Sequence, residues 1–179
     1  LANEKGVAQV VDPDRGKGAK FVAKSKQTLS GVFPTDEMSG NSDYTFSAWA
    51  KVSDSPTEAG SFLSFGQDGS QNFRQVQFRF QNYNNRTLVL AHWGGSCDFT
   101  GIPAPQDQTT WHHYVAVRKG STYTVYCDGV SVWTTSKSQA LDFLPEKKVY
   151  VGSHFASNDV RFFDGLLDDV RIYGVGLDA

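Results

Sequence analysis

Tyr44-Thr45-Phe46-Ser47-Ala48-Trp49-Ala50-Lys51-Val52 decides the fold. Tyr44, Phe46, Ala48, Ala50 and Val52 fall on one face of an extended chain, and Thr45, Ser47, Trp49 and Lys51 on the other. Successive strand side chains point to opposite faces, so this run is a β-strand with one buried face. Trp49 stands among polar neighbours on the second face, either on a sugar-binding surface or under a loop. Working outward, Val76 to Gln81 alternates in the same way, and Ser61–Gly66 and Leu88–Trp93 are further strands. Trp111 to Arg118 is apolar on both faces, as in a central strand covered on both sides. Thr122 to Cys127, then Asp128-Gly129, then Val130 to Thr134 reads as a hairpin, because Asp-Gly suits a two-residue turn with positive φ at both positions.

At the ends, Ala19 to Ala23 is expected as the first strand, entered from a turn at Asp12–Gly16. Val149–Gly152 and Phe162–Tyr173 supply the last strands. Ile102 to Thr110 reads as a long polar connection, and Ser138 to Pro145 as a segment holding one helical turn. About ten strands cut by turn clusters give an all-β fold, a two-sheet antiparallel β-sandwich.

The 179 residues fit one domain spanning 1–179, and 13 Phe, 7 Tyr and 4 Trp against 1 Met favour pleated surfaces over helices. The net charge is −2 with no basic run, which excludes the electrostatic footprint of a nucleic-acid binder. No apolar stretch reaches the roughly 18 residues of a membrane span, so no membrane insertion is expected. The chain opens Leu1-Ala2-Asn3 without an initiator Met, and is read as a module excised from a larger protein. Cys97 and Cys127 leave both a disulfide and two buried thiols open. Asn85-Arg86-Thr87 is a glycosylation sequon, consistent with secretion.

Three segments in order then resemble a known family: Phe46-Ser47-Ala48-Trp49-Ala50-Lys51; Trp111-His112-His113-Tyr114-Val115-Ala116-Val117-Arg118-Lys119-Gly120 followed by Val125-Tyr126-Cys127-Asp128-Gly129; and Phe163-Asp164-Gly165-Leu166-Leu167-Asp168-Asp169-Val170-Arg171-Ile172-Tyr173. From Ala19 to Ala179 the chain resembles the laminin G-like jelly rolls of the concanavalin A-like superfamily. The resemblance implies two facing sheets with jelly-roll topology, an extracellular or cell-surface setting, a structural Ca²⁺, and use in binding or adhesion. Cys127 departs from it, since the family usually shows an aliphatic residue there. A fold does not name a ligand, so function rests on sites.

Glycosidases of this superfamily need two carboxylates flanking the scissile bond. No Glu-x-Asp-x-x-Glu run occurs. The Glu residues, Glu4, Glu37, Glu58 and Glu146, fall in loops or termini, and Asp168 and Asp169 point to opposite strand faces. His112 and His113 likewise diverge, with no third ligand at zinc spacing. For calcium, the resemblance implicates Asp168, and Asp12 and Asp14 join it if the termini meet. For a glycan, aromatic rings stack on sugar C–H faces while planar polar groups take hydroxyls. Asn82–Arg86, His92–Asp98 and Ser153–Arg161 carry that mixture. Trp93 and His154 are the expected stacking contacts, with Tyr83 beside them and Asp98, Asn158 and Arg161 as hydrogen-bonding partners. The chain is thus expected to be a non-catalytic extracellular module that binds a glycan or a cell-surface glycoprotein and carries a structural calcium. The alternatives are a protein-interaction or spacer domain of a large surface protein, or an accessory domain of a glycan-active enzyme.

Overall fold

A computed structural model describes residues 1–33, 38–54, 60–66, 73–82, 87–93, 96–143, 147–154 and 161–178. Sheet A orders β1 (Ala2–Glu4), β4 (Thr28–Phe33), β13 (Lys147–Val151), β6 (Ser61–Gly66), β7 (Gln75–Asn82), β8 (Thr87–Ala91) and β9 (Asp98–Pro103). Sheet B orders β12 (Val130–Ser136), β11 (Thr122–Cys127), β10 (His112–Lys119), β5 (Tyr44–Val52), β14 (Gly165–Tyr173), β3 (Gly16–Phe21) and β2 (Ala8–Asp12). All pairings are antiparallel. The result is the expected jelly-roll sandwich.

The alternation of β5 is realised as read. Tyr44, Phe46, Ala48, Ala50 and Val52 are buried in the core between the sheets. Val76, Phe78 and Phe80 of β7 meet them from sheet A, so Gln75, Gln77 and Arg79 face the other way. Phe62 joins the layers: its ring stacks on Tyr114 of sheet B at 4.9 Å and meets Phe78 and Phe80 edge-on at 5.2 and 4.9 Å. Such close ring pairs add to the area they bury.

Two polar side chains are satisfied inside this core. Arg118, 2% exposed, donates to the Asn41 and Ser42 carbonyls, to Asn41 Oδ1 and to the Tyr123 hydroxyl, which ties the approach to β5 onto sheet B. His92 bridges the sheets. Its Nδ1 lies 2.8 Å from the Cys97 carbonyl, which can only accept, so Nδ1 carries the proton. Nε2 then accepts from the Tyr44 hydroxyl at 2.6 Å. Burial outweighs the Cys97 carbonyl and pushes the His92 pKa down to about 4.

The structure refines the sequence reading in several places. Of the strand expected at Ala19–Ala23, Ala19–Phe21 is the end of β3, which β1 and β2 precede, and Ala23 opens a 3-10 turn. The hairpin turn between β2 and β3 does fall within Asp12–Gly16. Ile102 is not in a loop but in β9. The expected helical turn at Ser138–Pro145 is absent over 138–143, where Phe143 instead pairs with Gly40; 144–145 lie outside the described residues. Cys97 and Cys127 are both free thiols buried in the core, one before β9 in sheet A and one at the end of β11 in sheet B. Burial raises the Cys127 thiol to about 12. β10 is central as expected, but its outer face is only half-covered at His113 and Val115.

Because His92 titrates near 4 when folded and near 6.5 when unfolded, the unfolded chain binds the extra proton between these values. The stability due to neutral His92 is therefore complete above pH 6.5 and lost as pH falls towards 4. Urea denaturation at pH 5 should show a loss of about 2 kcal/mol relative to pH 7.5. His92→Gln keeps one donor and one acceptor without titrating, so it should flatten this slope. An unchanged slope in that variant would place the effect elsewhere.

Candidate functional site

The outer face of sheet A is polar and yet buried. Cross-strand register sets Tyr150, Ser64, Gln77, Ala91 and Asp98 in one row over β13, β6, β7, β8 and β9. Ser64, Gln75 and Gln77 are 0%, 2% and 3% exposed. Polar groups on an outer sheet face are normally solvated, so a buried set of amides and hydroxyls forms a polar floor rather than a plain surface. Ser64 Oγ donates to the Ser153 carbonyl at 3.1 Å. Gln77 Oε1 accepts from Arg79 Nε at 3.0 Å and Arg161 Nη1 at 3.4 Å, which sets two guanidiniums beside one amide.

Trp93 stands at the edge of this floor. It lies two residues past Ala91, in the turn that leaves β8. Its φ is 57°, a left-handed backbone that a bulky residue rarely adopts and that costs roughly 1–2 kcal/mol. Asp98 holds the turn in place: one carboxylate oxygen, Oδ1, accepts the backbone N–H groups of His92 at 2.8 Å and Trp93 at 2.7 Å. The indole meets the His154 ring with centroids 5.7 Å apart and planes 30° apart. β8 and β13 run antiparallel, so these residues, 61 sequence positions apart, meet because the chain leaving β13 folds back over the outer face at Ser153, where Ser64 holds its carbonyl.

Of the residues expected to contact a glycan, Trp93, His154, Asp98 and Arg161 all belong to this face, while Tyr83 and Asn158 lie outside the described residues. Asp98 acts as the anchor of the Trp93 turn. Gln75, Gln77 and Arg79 lie in mid-strand and carry no loop signature in the sequence. Their signal was the polar half of the β7 alternation, glutamine and arginine at every second position.

The residues expected to hold calcium lie on sheet B. Asp12, Asp14 and Asp168 do gather at the β2–β3 turn and β14, but each is engaged otherwise. Asp12, 6% exposed, accepts the Trp111 indole N–H at 2.9 Å and the Asp14 N–H at 3.0 Å on Oδ1, and the Lys51 ammonium at 3.0 Å on Oδ2. The Trp111 indole, with Lys51 and the Asp14 amide, holds its pKa at about 2 against the effect of burial. Lys51 also lies 3.6 Å from Asp14. Asp168 Oδ2 takes Arg15, whose guanidinium lies 4.0 Å from the centre of the Trp49 ring. Among the described residues, no three His, Cys, Asp or Glu side chains converge as a metal-ligating group. With N–H groups and two cations on these oxygens, the set does not fit a calcium ion, which needs six to eight oxygen ligands. The cations on Asp12 and Asp168 come from β5 and the β2–β3 turn, where no local pattern around those carboxylates announces them.

A model of the concanavalin A-like lectin/glucanases superfamily, laminin G-like, matches residues 26–179. No curated protein sequence matches the chain. Among solved structures, domain 4 of an extracellular GH43 arabinanase from Geobacillus stearothermophilus, in complex with arabinotriose, superposes with a TM-score of 0.66 at 19% identity, over 97% of this chain and 77% of that one. The CBM40 of the Ruminococcus gnavus IT-sialidase, bound to α2,3-sialyllactose, gives 0.60 at 17% identity, over 84% and 93%. The enzymatically active domain of bacteriophage CBA120 tailspike protein 2 gives 0.68 at 15% identity, over 97% of this chain but only 28% of that one. At these identities the likeness is one of fold.

Since Lys51, Arg15 and Trp111 occupy the three carboxylates, neither millimolar calcium nor excess EDTA should shift the Tm in a thermal melt. A calcium-dependent rise of several degrees would show that the ion displaces those partners.

Proposed function

The chain belongs to the concanavalin A-like lectin/glucanases superfamily, and from that premise we propose that it is a non-catalytic glycan-binding module using the outer face of sheet A. The observation that carries this is Trp93, held by Asp98 in a left-handed turn beside His154 at the edge of a buried polar floor. Strained backbone persists where surrounding contacts over-determine it, and such positions cluster at ligand sites. An aromatic ring next to guanidiniums held by a buried amide is the combination a sugar needs: C–H faces on the ring, hydroxyls on Arg79 and Arg161, which Gln77 orients. The glycan complexes of the arabinanase domain and the sialidase module support this use of the fold.

Among its described residues, this floor does not pair the two carboxylates of a hydrolase. Hydrolysis requires two carboxylates roughly 5–10 Å apart across the bond. The row Tyr150–Ser64–Gln77–Ala91–Asp98 offers one, and that one accepts two backbone N–H groups. The module is proposed to work extracellularly, on a polysaccharide or the glycan of a cell-surface glycoprotein, without calcium at Asp12, Asp14 or Asp168.

A broad glycan array should give a hit that EDTA does not abolish. Trp93→Ala should weaken that hit by about 2 kcal/mol, roughly thirtyfold in Kd, and Gln77→Ala should weaken it further. No hit across the array, or a hit indifferent to both changes, would favour a protein-interaction or spacer role instead.

A further inference from the structure

The opposite side of the sandwich carries a second depression, and its origin is readable from register. On the outer face of sheet B, one row across four strands runs Tyr126–Val115–Ser47–Arg171. Short side chains occupy the middle of the row and long ones the ends. The row on one side is His113 and Trp49, and on the other Val117, Thr45 and Tyr173. Ser47 and Val115 therefore form the floor of a pit walled by His113 and Trp49 on one side and by Tyr173 and the C-terminal Leu177 and Asp178 on the other. Its volume is about 390 Å³, towards the lower end of the range for small-molecule sites.

We infer that this pit is a second sugar site, taking one ring of a neutral pyranoside. Three features fix that chemistry. The walls are stiff: Trp49 is held between the Arg15 guanidinium at 4.0 Å and the His113 ring at 5.0 Å. Tyr126 and Tyr173 stand on β11 and β14, three strand spacings or about 14 Å apart, and are half-buried aromatic bodies for the C–H faces of a ring. The polar groups are uncommitted: among the described residues, Ser47 Oγ, the ring nitrogens of His113 and the Tyr126 hydroxyl have no protein hydrogen-bond partner. Ser47 is only 8% exposed, so its hydroxyl is almost wholly within the pit. The charge is closed: Arg171 makes contacts of 2.8 and 2.9 Å to both oxygens of Asp169, which leaves no unpaired cation for an acidic sugar but a planar pair for vicinal hydroxyls. Burial also lowers the His113 pKa, so at neutral pH the ring offers one donor and one acceptor. An extended peptide is disfavoured because Tyr126 and Arg171 close both ends of the row and the floor presents side chains, not a backbone edge.

This site does not depend on the Trp93–His154 face of sheet A. The test is a titration of the full chain with methyl glucoside, galactoside, mannoside and xyloside, followed by backbone amide chemical shifts. At least one should shift a saturable set of amides on β5, β10, β11 and β14. Val115→Trp, which fills the pit from an outward-facing position, should abolish that set. Arg171→Ala, on the exposed rim, should weaken binding at least tenfold while retaining the folded spectrum. Any response of the Trp93–His154 face should survive both changes. No saturable shift on sheet B with any of the four sugars would overturn the inference, as would shifts that persist in Val115→Trp. Concentration-dependent broadening on this face without sugar, abolished by the same variant, would overturn it in favour of self-association.

Discussion

Phe62 fixes the register on which both outer faces depend. Its ring lies on Tyr114 of the opposite sheet and against Phe78, Phe80 and Phe163, with centroids 4.9 to 5.8 Å away. Removing a buried aromatic of this kind costs about 3–5 kcal/mol. The positional consequence matters as much. A strand has a period of two, so a slip of one residue in β7 would put Gln77 in the core and Phe78 on the surface. Packing Phe78 and Phe80 against Phe62 is what turns Gln75, Gln77 and Arg79 outward.

The two outer faces then diverge for reasons of size and satisfaction. On sheet A the outward residues are polar and buried, and they lie beside a tryptophan whose backbone strain is borne by one carboxylate. On sheet B the outward residues vary in length along one row, and the short pair Ser47–Val115 leaves a pit. Charge is closed in both acidic clusters of sheet B, by Lys51 and Arg15 at one and by Arg171 at the other. Those pairs make the acidic residues there structural, holding the β2–β3 turn against β14 and stiffening the Trp49 wall.

Much of this was legible in the residue order. Strict alternation gave β5 and β7, a run apolar on both faces gave the central place of β10, and Asp128-Gly129, both at positive φ, gave the β11–β12 turn. The edge-proximal strands were not legible. Thr28-Leu29-Ser30-Gly31 and Gly16-Lys17-Gly18-Ala19 carry little side-chain volume, and their partners lie far along the chain. Asp98 to Pro103 contains Gly101 and Pro103 and resembles a loop, because an edge strand tolerates both. The site was half legible. Trp93, His154, Asp98 and Arg161 stood out as loop chemistry, but the polar floor from β7 looked like an ordinary solvated strand face. The cations on Asp12 and Asp168 come from 39 and 153 positions away, beyond the reach of any local pattern.

Hydrogen–deuterium exchange with a bound array glycan tests the sheet A assignment most directly. The sugar should slow exchange in Gln75–Asn82 and over His92 to Asp98, where it covers the floor and stiffens the Trp93 turn. Protection confined to other segments, with these amides exchanging as in the free protein, would contradict it.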